Sequence, residues 1–195
     1  MIAPNLSWIL ALPSAALALL FCVPAEKTAL VRRISNISLF LTLLLSLWVF
    51  AAYDSTTGGY QFVQNVPWVA QFGISYHLGV DGINSLMVLL LGIASFAGTL
   101  ISHSIKDRVK EYTIMLMITV IGTYGAFLSL DIFFFYFFHE IAAIPVFLMI
   151  AIWGSERREY GAMKLTLYLV AGAALALIGL IALYHAAGLQ SFDLV

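Results

Sequence analysis

One carboxylate stands apart from its surroundings. In the stretch FFFYFFHEIAAIP, residues 133–145, Glu140 has no Lys, Arg, Asp or second Glu within eight residues on either side. An acid at the centre of a bilayer costs at least ~2.5 kcal/mol on insertion scales, and desolvation penalises the charged form of any such group. That suits proton transfer when a neighbour can switch the surroundings of the acid. The alternative is a structural acid that hydrogen-bonds a neighbouring helix and does nothing further. Pro145 follows Glu140 in the same stretch. Lacking an amide hydrogen, it leaves the carbonyl of Ile141, one residue past the acid, without a helical partner. A freed carbonyl there can hold water or a polar side chain; a packing kink is the plainer role.

The other polar residues near this depth are few. His139 precedes Glu140 and so leaves the helix about 100° away from it, which argues against a shared face. It is either a relay group or a histidine hydrogen-bonded to a neighbouring helix. A pair of haem ligands is not available. With His139 mid-membrane, His103 at the inner end and His185 near the outer end, no two share a depth. The Phe and Tyr run around them reads as lipid-facing or packing surface. Lys164 opens the last span about 20 Å in depth from Glu140 by helical rise, too far for its stem to reach. It reads as snorkelling to the interface, pairing with Glu156 or Glu159, or facing a partner chain. No counter-charge thus stands at the depth of the acid, and the missing cation is expected on another polypeptide or on a segment beyond these residues.

The elements that must hold these residues follow from composition. Of 195 residues, 63% are hydrophobic and 10% are charged, and the mean hydropathy is +1.01. A soluble domain of this size cannot hide so much apolar surface, so the solvent is lipid. A net charge of −1 leaves no basic patch for nucleic acid. Cys22 is the single cysteine, so there is no internal disulfide and no Cys-x-x-Cys for a cluster or c-type haem. No Lys or Arg precedes residue 24, so a cleavable signal peptide lacks its positive region and residues 5–23 read as a retained span. A span needs about 20 mostly apolar residues, which places helices at about 5–23, 35–53, 83–103, 112–130, 132–153 and 164–186. The chain then reads as one all-α transmembrane domain over residues 1–195. A tight turn near Ser129 and Asp131 joins the fourth and fifth helices. The long connection 54–81 suggests a short hairpin or an interfacial segment, with Trp68 and Tyr76 near the headgroups. All nine Lys and Arg residues follow helices one, three and five: Lys27, Arg32 and Arg33, then Lys106, Arg108 and Lys110, then Arg157, Arg158 and Lys164. Six spans put all of them on one side, expected to be cytoplasm or matrix, with both termini outside.

Several stretches together resemble the N-terminal part of the antiporter-like membrane subunits of respiratory complex I, the proton-pumping NADH–quinone oxidoreductase, and most of all its chain M (subunit 4) type. They are HLGVDGIN at 77–84, SIKDRVKEY at 104–112, LSLDIFFFYFFHEIAAIPVFLMIAIWG at 128–154 and ERREYGAMKLTLYLVAGA at 156–173. The similarity runs from about residue 77 to 184. It implies that Glu140 matches the essential fifth-helix glutamate of the proton path, paired in that family with a lysine on the seventh helix. Asp81 matches the entrance to helix three, a cap. Lys164 matches a recurring basic position at the start of helix six. His139 departs from the large aromatic residue usual before the glutamate.

The resemblance also sets expectations for what lies outside the chain. Family members have about fourteen helices in two inverted repeats, whereas this chain stops after helix six, before the seventh-helix lysine and the broken helix where such transporters place ion sites. A split subunit completed by a second chain is the expected arrangement, with a truncation as the alternative. No cofactor or metal is expected in this chain; NADH, FMN, iron–sulfur clusters and quinone belong to other subunits. The expected partners are other membrane subunits of complex I, one carrying the remaining helices, and the lipid bilayer, in a bacterial or archaeal cytoplasmic membrane or an organellar inner membrane. Two other readings fit the same residues: a subunit of a multi-subunit sodium/proton antiporter or membrane-bound hydrogenase, and a non-conducting scaffold.

Overall fold

The apolar segments fold as helices because backbone polar groups in hydrocarbon must be satisfied within their own segment. A computed structural model describes residues 5–69, 71, 73–186 and 188. Among these residues there are six α-helices and one β-hairpin, in the order α1 (Ser7–Cys22), α2 (Thr28–Ala52), β1 (Gln61–Val69), β2 (Ile74–Val80), α3 (Gly82–Ile101), α4 (Val109–Leu128), α5 (Ile132–Trp153) and α6 (Arg158–Ala186). Five of them, α2 to α6, are long and apolar enough to cross a membrane. The remaining one, α1, has 16 residues, about 24 Å at 1.5 Å per residue. Both chain termini lie outside the described residues, and so does their expected placement.

Two helices begin earlier than hydropathy places them. Helix α2 starts at Thr28 instead of about 35, and α6 at Arg158 instead of about 164. Hydropathy marks where lipid is tolerated; the helix itself continues through Arg32 and Arg33, whose polar side chains suit the end of a span as well as any loop would. The connection 54–81 takes the hairpin alternative. Its strands pair antiparallel, Asn65 opposite His77 and Val66 opposite Tyr76. Before it, the Thr56 hydroxyl and amide both donate to the Asp54 carboxyl; those bonds hold this exposed acid below the usual carboxylate range.

Helices α1 to α4 share the core, which includes Leu20, Leu39, Val88, Met117 and Tyr124. Lipid tails are as apolar as Leu, so helices associate in membranes by close packing and interhelical hydrogen bonds more than by a hydrophobic drive. The buried face of α2 accordingly carries Ser35, Ser38, Thr42 and Ser46. The hydroxyl of Ser46 lies 3.1 Å from that of Tyr124, tying α2 to α4.

At one end the three basic connections meet. Arg32 Nη2 donates to the Ile105 carbonyl at 2.7 Å, Lys110 Nζ to that of Val23 at 2.7 Å, and Trp153 Nε1 to that of Asp107 at 3.0 Å. The hairpin sits at the other end. There the Ser7 hydroxyl donates to Gln64 Oε1 at 2.6 Å, and Leu130 N–H donates to the His77 carbonyl at 2.8 Å.

Candidate functional site

Helix α5 is positioned from its start. Asp131 caps it, accepting from Phe134 N–H at 3.1 Å, and the other carboxylate oxygen accepts from Ser75 N–H of β2 at 3.0 Å. Asp131 is fully buried. One residue thus satisfies an orphan helix amide and locks the helix to the hairpin. Trp68 and Tyr76 of the hairpin both pack on Phe134. Further along, α5 lies against α4 at two glycines. A Cβ at Gly122 would stand 2.8 Å from the Phe138 carbonyl oxygen and 2.9 Å from the Ala142 Cα, and one at Gly125 would enter the Phe138 ring. Phe138 and Ala142 flank Glu140 at two residues on either side, so the seam sets where the acid sits.

Glu140 is the ninth of the 22 residues of α5. It lines a cavity of about 240 Å³ between α5 and α6, with His139, Ala143 and Phe147 from its own helix and Thr166, Val170 and Ala173 from α6. The Glu140 side chain is 33% exposed, yet Oε1 is buried and accepts no hydrogen bond. His139 Nδ1 stands 3.6 Å from that oxygen. Tyr136, one turn earlier, interacts with the same carboxyl group.

His139 departs from the expectation that it would share no face with Glu140. Adjacent Cβ atoms diverge around the helix, but both side chains are long enough to bend into the same cavity. Pro145 is buried within a continuous α5. Lys164 lies away from the acid: it is exposed, stands 6.0 Å from the centroid of the Tyr160 ring, and lines a separate groove with Met163, Leu167 and Tyr168. Asp81 caps α3, accepting from Asn84 N–H at 2.7 Å, and is not part of the cavity wall. Among the described residues no three of His, Cys, Asp or Glu gather to hold a metal ion.

Sequence reasoning placed Asp131 in a turn without its capping role, and passed over Tyr136, Thr166 and the two seam glycines. Asp131 carried a usable signal, an Asp immediately before an apolar run, which marks an N-cap. Thr166 carried none, because which face of α6 meets α5 depends on packing.

The family described as NADH:quinone oxidoreductase/Mrp antiporter, TM, matches residues 129–195, which include α5 and its acid. The chain is 38% identical over 159 residues to subunit M of NADH-quinone oxidoreductase from Rhodobacter capsulatus, a match covering 78% of this chain and 31% of that one. It is 33% identical over 173 residues to subunit M from Rickettsia conorii, covering 87% of this chain and 34% of that one. A chain of respiratory complex I from Thermus thermophilus with bound NADH has the same fold, with a TM-score of 0.82 at 24% identity, over 96% of this chain and 38% of that one. This chain therefore spans about a third of the length of the curated relatives it matches. With the family match on the Glu140 helix and relatives aligned along most of its length, the chain belongs to the antiporter-like membrane subunits of the NADH:quinone oxidoreductase and Mrp antiporter family.

Proposed function

We propose that this chain is part of the proton-translocating membrane arm of an NADH–quinone oxidoreductase, in which Glu140 takes up and releases protons against a cation supplied by a segment outside residues 1–195. The observation that carries the reading is the condition of the carboxyl group. It stands midway along a membrane helix, at a cavity with an apolar wall, and its Oε1 is buried without a hydrogen bond. A buried acceptor left in that condition is costly unless something else completes it.

The chemistry follows from two states. With no cation near, the low dielectric favours the neutral acid. An ammonium brought to about 4 Å attracts the carboxylate by about 4 kcal/mol at an effective dielectric constant near 20, which releases the proton. Approach and withdrawal of that cation would load and unload the site. A lysine on the next helix of the complete subunit fits the role, and Lys164 does not, because it lines a different groove. The energy would come from electron transfer between NADH and quinone through FMN and iron–sulfur clusters in other subunits. The membrane would be a bacterial or archaeal cytoplasmic one, or an organellar inner one, with the basic end facing inward. The relatives named as oxidoreductase subunits support this assignment.

The family description also includes Mrp antiporters, which supports a second reading as a subunit of a multi-subunit sodium/proton antiporter. Glu140→Gln in the assembled complex tests the first. Proton uptake into native membrane vesicles is expected to fall by about 10²-fold, the low end for a lost acid–base group, with assembly preserved. Normal pumping by an assembled variant removes the proposal and favours a scaffold. Uptake that depends on sodium, and not on NADH, favours the antiporter.

A further inference from the structure

We infer that His139 and Glu140 act as one proton-holding dyad, with the imidazole Nδ1 passing protons to and from the carboxyl Oε1. The inference deepens the function proposed above and rests on Glu140 carrying protons. Nδ1 lies 3.6 Å from Oε1, and that oxygen is buried and bonded to nothing else. A charge-assisted N–H···O bond is about 2.8 Å long, so turning the His139 side chain by less than about an ångström closes it. The His139 side chain is 48% exposed against 33% for that of Glu140, and both line the same cavity, so a proton arriving there can reach the imidazole before the buried Oε1.

The surroundings leave the acid no other chargeable nitrogen among the described residues. On its own helix Tyr136 reaches the same carboxyl group. From α6 the cavity wall is Thr166, Leu169, Val170 and Ala173, none of which titrates. Helix α4 meets α5 through Gly122 and Gly125. Its Tyr124 is turned to Ser46 and its Tyr112 to Trp153, while Lys110 bonds the Val23 carbonyl and Glu111 pairs with Arg108. Strand β2, which carries Tyr76 and His77, meets α5 at its capped end, where Tyr76 packs on Phe134.

In the loaded state an imidazolium faces a carboxylate. Transfer breaks the Nδ1–H bond, forms an Oε1–H bond and leaves a neutral imidazole beside a neutral acid, with net charge unchanged. Loss of one proton from the dyad to cavity water leaves a neutral imidazole and a carboxylate, a single negative charge that an approaching cation stabilises. His139 thus holds the proton in place during the interval when that external cation is withdrawn.

Infrared difference spectra after a pH jump test this, recorded on the complex in native membranes beside proton uptake. The carbonyl band of protonated Glu140 is identified by its loss in Glu140→Gln. In His139→Phe, which suits this Phe-rich helix, that band is expected to move to higher wavenumber as the acid loses its nitrogen partner, and uptake is expected to fall by about 10²-fold with a changed pH profile. His139→Gln keeps a polar partner without a transferable proton, so the band should return toward its original position while uptake stays low. An unchanged band and an unchanged pH profile in both variants overturn the dyad. If that happens while Glu140→Gln still abolishes uptake, the dyad falls and the proposed function stands; if Glu140→Gln pumps normally, the proposed function falls and the dyad with it.

Discussion

The seam between α4 and α5 divides two differently built regions. In its most apolar 18-residue window, α4 is 44% buried within the protein, whereas the corresponding windows of α5 and α6 are 6% and 0% buried. Yet α6 is the more apolar helix of the three. Apolarity therefore records contact with lipid and says little about contact with protein. The polar residues separate the regions better. Within the α1–α4 helices the buried hydroxyls are satisfied internally, as with Ser46 and Tyr124 or with Thr42 and the Ser38 carbonyl, while Arg32 Nε and Asn36 Oδ1 near the basic end of α2 are buried without a hydrogen bond. In the α5–α6 pair the buried Oε1 of Glu140 has no hydrogen bond among the described residues. The hydroxyls of one region are answered within the bundle, and the acid of the other is not.

Substitutions at the join should damage most. Asp131→Ala removes a helix cap, worth about 1 kcal/mol, and orphans the buried Ser75 amide, for a total near 3 kcal/mol. Unfolding of the chain in mixed detergent micelles should show that loss, with α5 and α6 exchanging amide hydrogens before α1–α4 do. Uniform exchange across all six helices would erase the distinction between the regions. Next in size is Gly122→Ala, whose methyl group strikes the backbone around Phe138 and Ala142. Overpacking of this kind costs about 2 kcal/mol, and the shifted α5 should also slow proton uptake. Smaller still is Tyr124→Phe, inside the α1–α4 group. It deletes one interhelical hydrogen bond, worth about 0.6 kcal/mol in membranes, and should leave uptake unaltered. If it slows uptake as much as Gly122→Ala does, the α1–α4 group is not the passive support described here.

The class of the molecule was legible before any coordinates. Runs of about 20 apolar residues have few outcomes in lipid other than helices, and nine basic residues in or beside alternate connections put those connections at one end, where Arg32, Lys110 and Trp153 now bond across them. The isolation of Glu140 was equally plain, since a missing neighbour in sequence needs no packing to be noticed. Helix starts were less legible because hydrogen bonding along a helix does not stop where hydrophobicity does, as Thr28 and Arg158 show.

What packing alone decided is who faces whom. Hydropathy treats all sides of α6 alike, so nothing in it says that Thr166 lines the cavity of the acid and Lys164 does not. The angular rule for consecutive helix positions separated His139 from Glu140, and only side-chain reach into a shared cavity brought them to 3.6 Å. The close approach at Gly122 and the double grip of Asp131 are likewise agreements between distant segments. Sequence determines what each helix can tolerate; which side chains share a cavity is decided when those helices choose their neighbours.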